Sequence, residues 1–268
     1  MVRGNFKKYK LIMSNQEAKS KSFIAFAKIF KSRGVNGIWL HILNIWFDII
    51  RGIDTVERYK SDSIKKTYVT TSQSSISRSI KYAINYLEKN KDLKNLNFVE
   101  LGAGKGKVII VLKELILNKF KKHINILAIE LDEDLCNIFR KNLIISGFSE
   151  ENNKNLILKK NINFNKKIKV KLINEDIQSK GSQNQIKEIT KFGNTIYYCC
   201  DSQTKESLMN LFAQLIKIKD IKSRQNTLFI YSNPRYLSEL TSIFRNEVKL
   251  IRHEIGSPQK SYAIINIL

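Results

Sequence analysis

From Asn97 onward the chain alternates short apolar runs with segments of helical length, and near its end the alternation stops. Asn97–Leu101, Ile124–Glu130, Lys169–Ile173, Thr195–Cys199 and Thr227–Tyr231 are apolar enough to be buried strands. The helical segments are Lys105–Leu117, Asp132–Ile145, Asn184–Lys191, Lys205–Ile218 and Pro234–Phe244. Pro234 fits the first turn of the last one, where its missing N–H is harmless. Such alternation predicts parallel strands joined by crossover helices. The two final runs, Glu247–Glu254 and Tyr262–Leu268, are separated only by a turn around Gly256-Ser257-Pro258-Gln259. That connection is too short for a crossover, so they pair as an antiparallel hairpin. The expectation is an α/β fold with a seven-stranded, mostly parallel sheet ending in that hairpin.

The region before the first strand reads as helical, near Lys19–Lys31, Ile38–Ile50 and Ser74–Lys89. No Pro/Gly/Ser linker sets it apart, so residues 1–92 are expected to form a helical cap on the carboxyl edge of a core spanning 93–268. Asn152–Lys169, rich in Asn and Lys, is an insertion expected to be a surface hairpin or loop. The chain of 268 residues, 43% hydrophobic, can bury a real core. The longest apolar run, Ile38–Ile50, is shorter than a bilayer span and carries His41, Asn44 and Asp48, so no transmembrane helix is expected. No signal-peptide pattern is present, the basic segment Lys19–Arg33 only weakly resembles a targeting helix, and a cytoplasmic location is the default. Cys199 and Cys200 are adjacent and Cys136 is distant, which argues against a disulfide framework. His41, His123 and His253 are scattered, so no metal centre is expected. Lys plus Arg number 47 against 24 acids, a net charge of +23. This suits an anionic partner, but low-GC coding yields the same excess of Lys, Asn and Ile with few Pro, so the charge serves as a prior on association.

Glu100-Leu101-Gly102-Ala103-Gly104-Lys105-Gly106 joins the first strand to the first helix. Glycines there permit a tight turn and let a ligand reach backbone N–H groups at a helix start. The register decides which ligand. The dinucleotide fingerprint needs a third Gly at 107 or 109, where the chain has Lys107 and Ile109. A P-loop needs Ser or Thr after Gly-Lys, whereas Gly106-Lys107 is followed by Val108. Both nucleotide readings are disfavoured. An acid two positions before the loop and a second acid, Glu130, at the end of the next strand remain.

This arrangement resembles class I S-adenosylmethionine-dependent methyltransferases, whose sheet is Rossmann-like. The resemblance implies that Glu100 and the loop Gly102, Ala103, Gly104, Lys105 and Gly106 hold the aminoacyl end of S-adenosyl-L-methionine. It places Glu130 on the ribose hydroxyls with Leu131 beside it. Asp176, after the third strand, falls where these enzymes put a group near the adenine amine, and it equally suits a turn or helix cap. A narrower resemblance is to a bacterial group of these enzymes. It rests on Phe47-Asp48, Gly52-Ile53-Asp54-Thr55, Tyr68 with Thr70 and Thr71, and Gly102–Gly106. It implies that Thr71 lies near the cofactor, Tyr68 and Asp201 near the reaction, and Asp48 or Asp54 on the substrate side. Where the group has Asn-Pro-Phe after the fourth strand, this chain has Asp201-Ser202-Gln203. Asp201 either replaces the missing acceptor of hydrogen bonds or merely opens the next helix.

The implied activity is methyl transfer, which demands positioning and needs a base only for a protonated nucleophile. The basic residues run through the amino-terminal helices, the insertion and Lys217–Arg224, segments that need not share a face. A small-molecule or protein acceptor is therefore favoured. An RNA methyltransferase and a non-catalytic cofactor-binding module are the alternatives.

Overall fold

Runs of Ile, Val, Leu and aromatic residues become central strands where helices cover both sheet faces, because continuous apolar strands need double coverage. The computed structural model describes residues 34–35, 37–55, 71–90, 95–119, 123–152, 155–158, 168–191, 193–200, 203–218, 226–256 and 260–268. The chain divides into two units, Met1–Glu57 and Arg58–Leu268. The expected helix at Lys19–Lys31, and Tyr68, Asp201 and Ser202, lie outside the described residues.

In the first unit, helix α1 (37–51) buries Leu40, Asn44, Phe47 and Asp48. Gly52, at φ 67°, turns the chain out of the helix, a conformation in which a side chain would be strained. The turn is stapled from within. Asp48 Oδ2 accepts the Thr55 N–H and its Oδ1 accepts the Thr55 hydroxyl, both at 2.6 Å. The spacing of Phe-Asp and Gly-x-Asp-Thr thus has a local structural consequence, with both oxygens of Asp48 bonded to Thr55.

The second unit begins with α2 (Gln73–Asn90) and continues through β1 (Asn95–Leu101), α3 (Lys107–Lys119), β2 (His123–Glu130) and α4 (Glu133–Ile145). A short pair, β3 (Phe148–Asn152) and β4 (Asn155–Leu158), precedes β5 (Ile168–Asn174) and α5 (Lys180–Thr190). Then come β6 (Asn194–Cys200), α6 (Lys205–Ile218), β7 (Thr227–Ser232), α7 (Leu237–Ile243), β8 (Val248–Glu254) and β9 (Tyr262–Ile267). The sheet order is β3-β4-β5-β2-β1-β6-β7-β9-β8. Its seven-stranded core, β5 to β8, has six parallel strands and β9 running against them, as the terminal hairpin required. The insertion adds the antiparallel β3–β4 pair to one edge, making nine strands.

Strand alternation divides the core. Val99, Leu101, Leu127, Ile129, Tyr197 and Phe229 pack in one cluster with Ile186 of α5, Leu208, Leu211 and Phe212 of α6, and Leu240 of α7. On the other side α2 packs against β7, β9 and α3. Two helix starts differ by three residues or more from the sequence expectation. Helix α5 starts four residues before Asn184 because Ser179 caps it, accepting the Ser182 N–H at 3.0 Å. Helix α7 starts at Leu237 rather than Pro234 because the chain first turns at Asn233, whose φ is 54°.

Candidate cofactor site

Successive strands leave β1 in opposite directions, to β2 on one side and β6 on the other, which opens a crevice at their carboxyl ends. The loop after β1 lies there. The N–H groups of Gly102 and Ala103 both donate to the Ile129 carbonyl at 2.9 Å, pinning the loop to β2. Gly102, Gly104 and Gly106 all have positive φ, at 81°, 53° and 82°. Gly106 has a second reason to be glycine. A Cβ there would lie 2.8 Å from the Phe139 ring and 2.9 Å from Leu143 Cδ1, both on α4. Helix α4 also anchors the loop through Asn142, whose amide donates to the Lys105 carbonyl at 2.9 Å.

Glu130 couples the loop to the end of β2. Its Oε2 accepts the Gly104 N–H at 2.7 Å and its Oε1 accepts the Asp132 N–H at 3.0 Å. Asp132 in turn caps α4, accepting from the N–H groups of Asp134 and Leu135. Burial raises the Glu130 carboxyl above the usual glutamate range, and the N–H groups of Asp132, Gly104 and Leu131 work in the opposite direction. The next residue, Leu131, is 53% exposed, an apolar side chain open to solvent beside a polar site. Asn174, at the end of β5, donates to the carbonyls of Glu130 (3.1 Å) and Leu131 (2.8 Å). Asp176 is exposed and its Oδ1 accepts the Gln178 N–H at 2.8 Å, so it holds the turn after β5.

Glu100 is 3% exposed, and its Oε2 has no hydrogen-bond partner among the described residues. Burial pushes its carboxyl well above the usual range, and the nearby Glu130 charge adds to the shift. In register beside it on β6 is Tyr198, whose buried hydroxyl lies against Ser232 and Thr71. Desolvation raises that phenol too. Thr71 reaches the same edge: its hydroxyl lies 3.2 Å from Cys200 Sγ and 3.4 Å from Ser232 Oγ, at the paired ends of β6 and β7.

The structure therefore brings Glu100, Gly102, Ala103, Gly104, Lys105, Gly106, Glu130 and Leu131 together, sets Asp176 on the turn after β5, and places Thr71 at the ends of β6 and β7. Sequence reasoning missed Asn142, Asn174, Tyr198 and Ser232. An Asn closing the apolar run of β5 was the one available signal, since the other three depend on tertiary placement. Cys136, Cys199 and Cys200 form no disulfide with one another. Among the described residues no group of His, Cys, Asp and Glu could hold a metal ion, and no helix is long and apolar enough to cross a membrane.

The fold resembles that of the N-terminal domain of human METTL16, solved in complex with SAH. The TM-score is 0.52 at 13% identity, over 88% of this chain and 83% of that one. The chain has the Rossmann-like methyltransferase fold. It is also similar to human methyltransferase 10 domain containing protein, at 12% identity and TM-score 0.49, over 85% and 95% of the two chains. A putative class I S-adenosylmethionine-dependent methyltransferase from Listeria monocytogenes matches at 8% identity and TM-score 0.45, over 72% and 59%. No protein-family model and no curated protein matches the sequence.

Proposed function

We propose that the chain binds S-adenosyl-L-methionine and transfers its methyl group to an acceptor at the carboxyl edge of β6 and β7. The observation that carries this is the bond from the Gly104 N–H to Glu130. In a phosphate-binding loop that N–H would face the ligand's anion. Here a carboxylate takes it, and a second carboxyl, Glu100, stands buried beside the loop with one oxygen unpartnered among the described residues. Two acids suit a ligand that brings an ammonium group and a diol and carries no phosphate.

The residues fit the cofactor part by part. The unpartnered Oε2 of Glu100 and the Gly102–Gly106 backbone would hold the aminoacyl end. Glu130, though bonded to two N–H groups, has lone pairs left for both ribose hydroxyls. Leu131 offers an apolar face to the purine, and Asp176 stands on the neighbouring turn for its amine. When bound, the cofactor supplies a methyl group made electrophilic by its sulfonium. The chain's own contribution is positioning. Helix α4 and the Ile129 carbonyl fix the loop, while Asn174 fixes the backbone that carries Glu130 and Leu131. On the acceptor side Cys200 leads directly into Asp201, and Thr71 and Ser232 line the same edge. We assign Asp201 and Tyr68 to that side.

Titration calorimetry with S-adenosylmethionine and its demethylated product tests the reading. Binding to the native chain, lost on Gly104→Val or Glu130→Ala, is the expected result, and transfer of labelled methyl distinguishes an enzyme from a binding module. Binding of NAD or ATP with no response to either cofactor form would overturn it.

A further inference from the structure

The surface that runs along α2 to the edge strand β8 takes no part in the cofactor site. On α2, Arg78, Lys81, Tyr82, Asn85 and Lys89 recur three or four residues apart and point outward, while Ile76, Ile80, Ala83, Ile84 and Leu87 are buried. Across from them, Arg252 of β8 lays its guanidinium over the Tyr82 ring, 4.7 Å from the centroid. Glu254 orders this pair. It forms ion pairs with Arg78 and with Arg252, the latter at 3.3 Å, and accepts the Tyr262 hydroxyl at 2.8 Å. One carboxylate thus orients two guanidiniums and leaves a net positive charge.

Two open cavities follow one another along this stripe. The first, about 470 Å³, lies among Arg78, Lys81, Tyr82 and Asn85 of α2 and Arg252 and Glu254 of β8. The second lies further along α2 and is bordered, among the described residues, by Tyr82, Asn85, Tyr86, Glu88 and Lys89. Tyr82 and Asn85 line both, so the two form one groove. Its upper end lies at the edge where the acceptor is placed: Ser75 of α2 donates to the Lys260 carbonyl at 3.2 Å, just before β9, and Thr71 meets Cys200 and Ser232.

We propose that this groove is a binding track for single-stranded nucleic acid. That the strand it holds is the methyl acceptor rests on the methyltransferase reading above. Cations at helical spacing suit a phosphate backbone, and Tyr82, with one face under the Arg252 guanidinium, can extend that stack to an unpaired base through its other face. A duplex keeps its bases stacked on one another and would use the cations alone. An acidic peptide would likewise leave the ring unused. The chain's net charge of +23 adds long-range attraction for a polyanion. The sequence favoured a small-molecule or protein acceptor because its basic segments need not share a face. The groove instead joins basic residues of α2 and β8, which are far apart in sequence, into one surface.

The test is fluorescence anisotropy on the full chain without cofactor. The probes are labelled single-stranded RNA and DNA oligonucleotides of mixed sequence and the matching duplexes, with poly-glutamate as competitor. Single strands should bind more tightly than duplexes, with affinity falling at least about tenfold between roughly 50 and 200 mM salt. Preference for RNA or for DNA identifies the strand. Lys81→Glu combined with Lys89→Glu changes exposed positions only and should weaken binding about tenfold or more. Tyr82→Ala should weaken it about tenfold with the salt slope kept, because it removes stacking and leaves the phosphate contacts. Absence of binding, unchanged affinity in the charge variant, equal affinity for duplexes, or poly-glutamate competing as well as an unlabelled single strand would each overturn the track. Cofactor calorimetry on the same proteins is a separate readout: a failed track leaves cofactor binding intact, and a failed cofactor site leaves the anisotropy result standing.

Discussion

The buried Glu100 carboxyl has a predictable proton economy. Without cofactor, burial and then the Glu130 charge hold Glu100 well above the usual glutamate range, so it carries its proton over a wider pH span. An ammonium group beside it would lower that value, so binding releases a proton. Cofactor affinity should then rise with pH between the bound and free pKa values and level off above the free one. Calorimetry in two buffers of different ionisation enthalpy should detect release of up to about one proton per site. Glu100→Gln should abolish that release and weaken binding about tenfold to a hundredfold at high pH, the worth of a hydrogen bond to a charged group. The same shift has a stability consequence. Because the folded-state pKa is raised, the contribution of the neutral carboxyl is complete below the ordinary glutamate range and is lost as pH rises through the folded value. Cofactor-free Glu100→Gln should therefore resist urea better than the native chain at high pH, with the difference vanishing in acid. Glu100 and Glu130 were legible in the sequence because an acid ending an apolar strand is chemically conspicuous. The contacts of Thr71 with Cys200 and Ser232 were not, since they join residues 129 and 161 positions apart.

At the scale of elements, the strand and helix pattern was readable because period and length separate the two wherever a segment is buried on one side or on both. Helix α6 has the expected bounds, Lys205–Ile218. Boundaries moved where one polar side chain or one turn decides them, as at Ser179 and Asn233. The edge strands β3 and β4 were legible only as a hairpin or loop expected at Asn152–Lys169, because five and four residues, several of them polar, carry too little periodicity to fix their bounds. The glycine loop shows the same limit from the other side. Its sequence announced a turn, but its clamping by α4 needed Phe139, Leu143 and Asn142 in place. Gly106→Ala should therefore be costly on two counts: a positive φ, and a Cβ driven into Phe139 and Leu143. About 1–3 kcal/mol of stability should be lost, read from the urea midpoint. Combined with Leu143→Ala, it should cost less than the sum of the two single losses, since Leu143 then no longer meets the new methyl. A pair that is strictly additive would mean that the backbone conformation alone sets the cost.

For the whole molecule, the division at Glu57 and Arg58 bears on what the amino-terminal region does. Helix α2 belongs to the larger unit: Ile76, Ile80, Ala83, Ile84 and Leu87 are buried, and it packs on β7, β9 and α3. Removing it would expose the apolar face of that side of the sheet. The first unit has its own local closure in the bonds between Asp48 and Thr55, while all described members of the cofactor site fall after Arg58. A chain beginning at Arg58 should therefore keep a cooperative unfolding transition and bind S-adenosylmethionine within about threefold of the full chain, since no cofactor contact proposed above is removed. Methyl transfer should nevertheless fall by two orders of magnitude or more if residues 1–57 help to hold the acceptor, because an unheld acceptor is left unpositioned. Differential scanning calorimetry, cofactor titration and transfer of labelled methyl on the two chains separate the three properties. Retained transfer would leave residues 1–57 with a role other than holding the acceptor. Lost cofactor binding in a folded chain would move part of the site into the first unit.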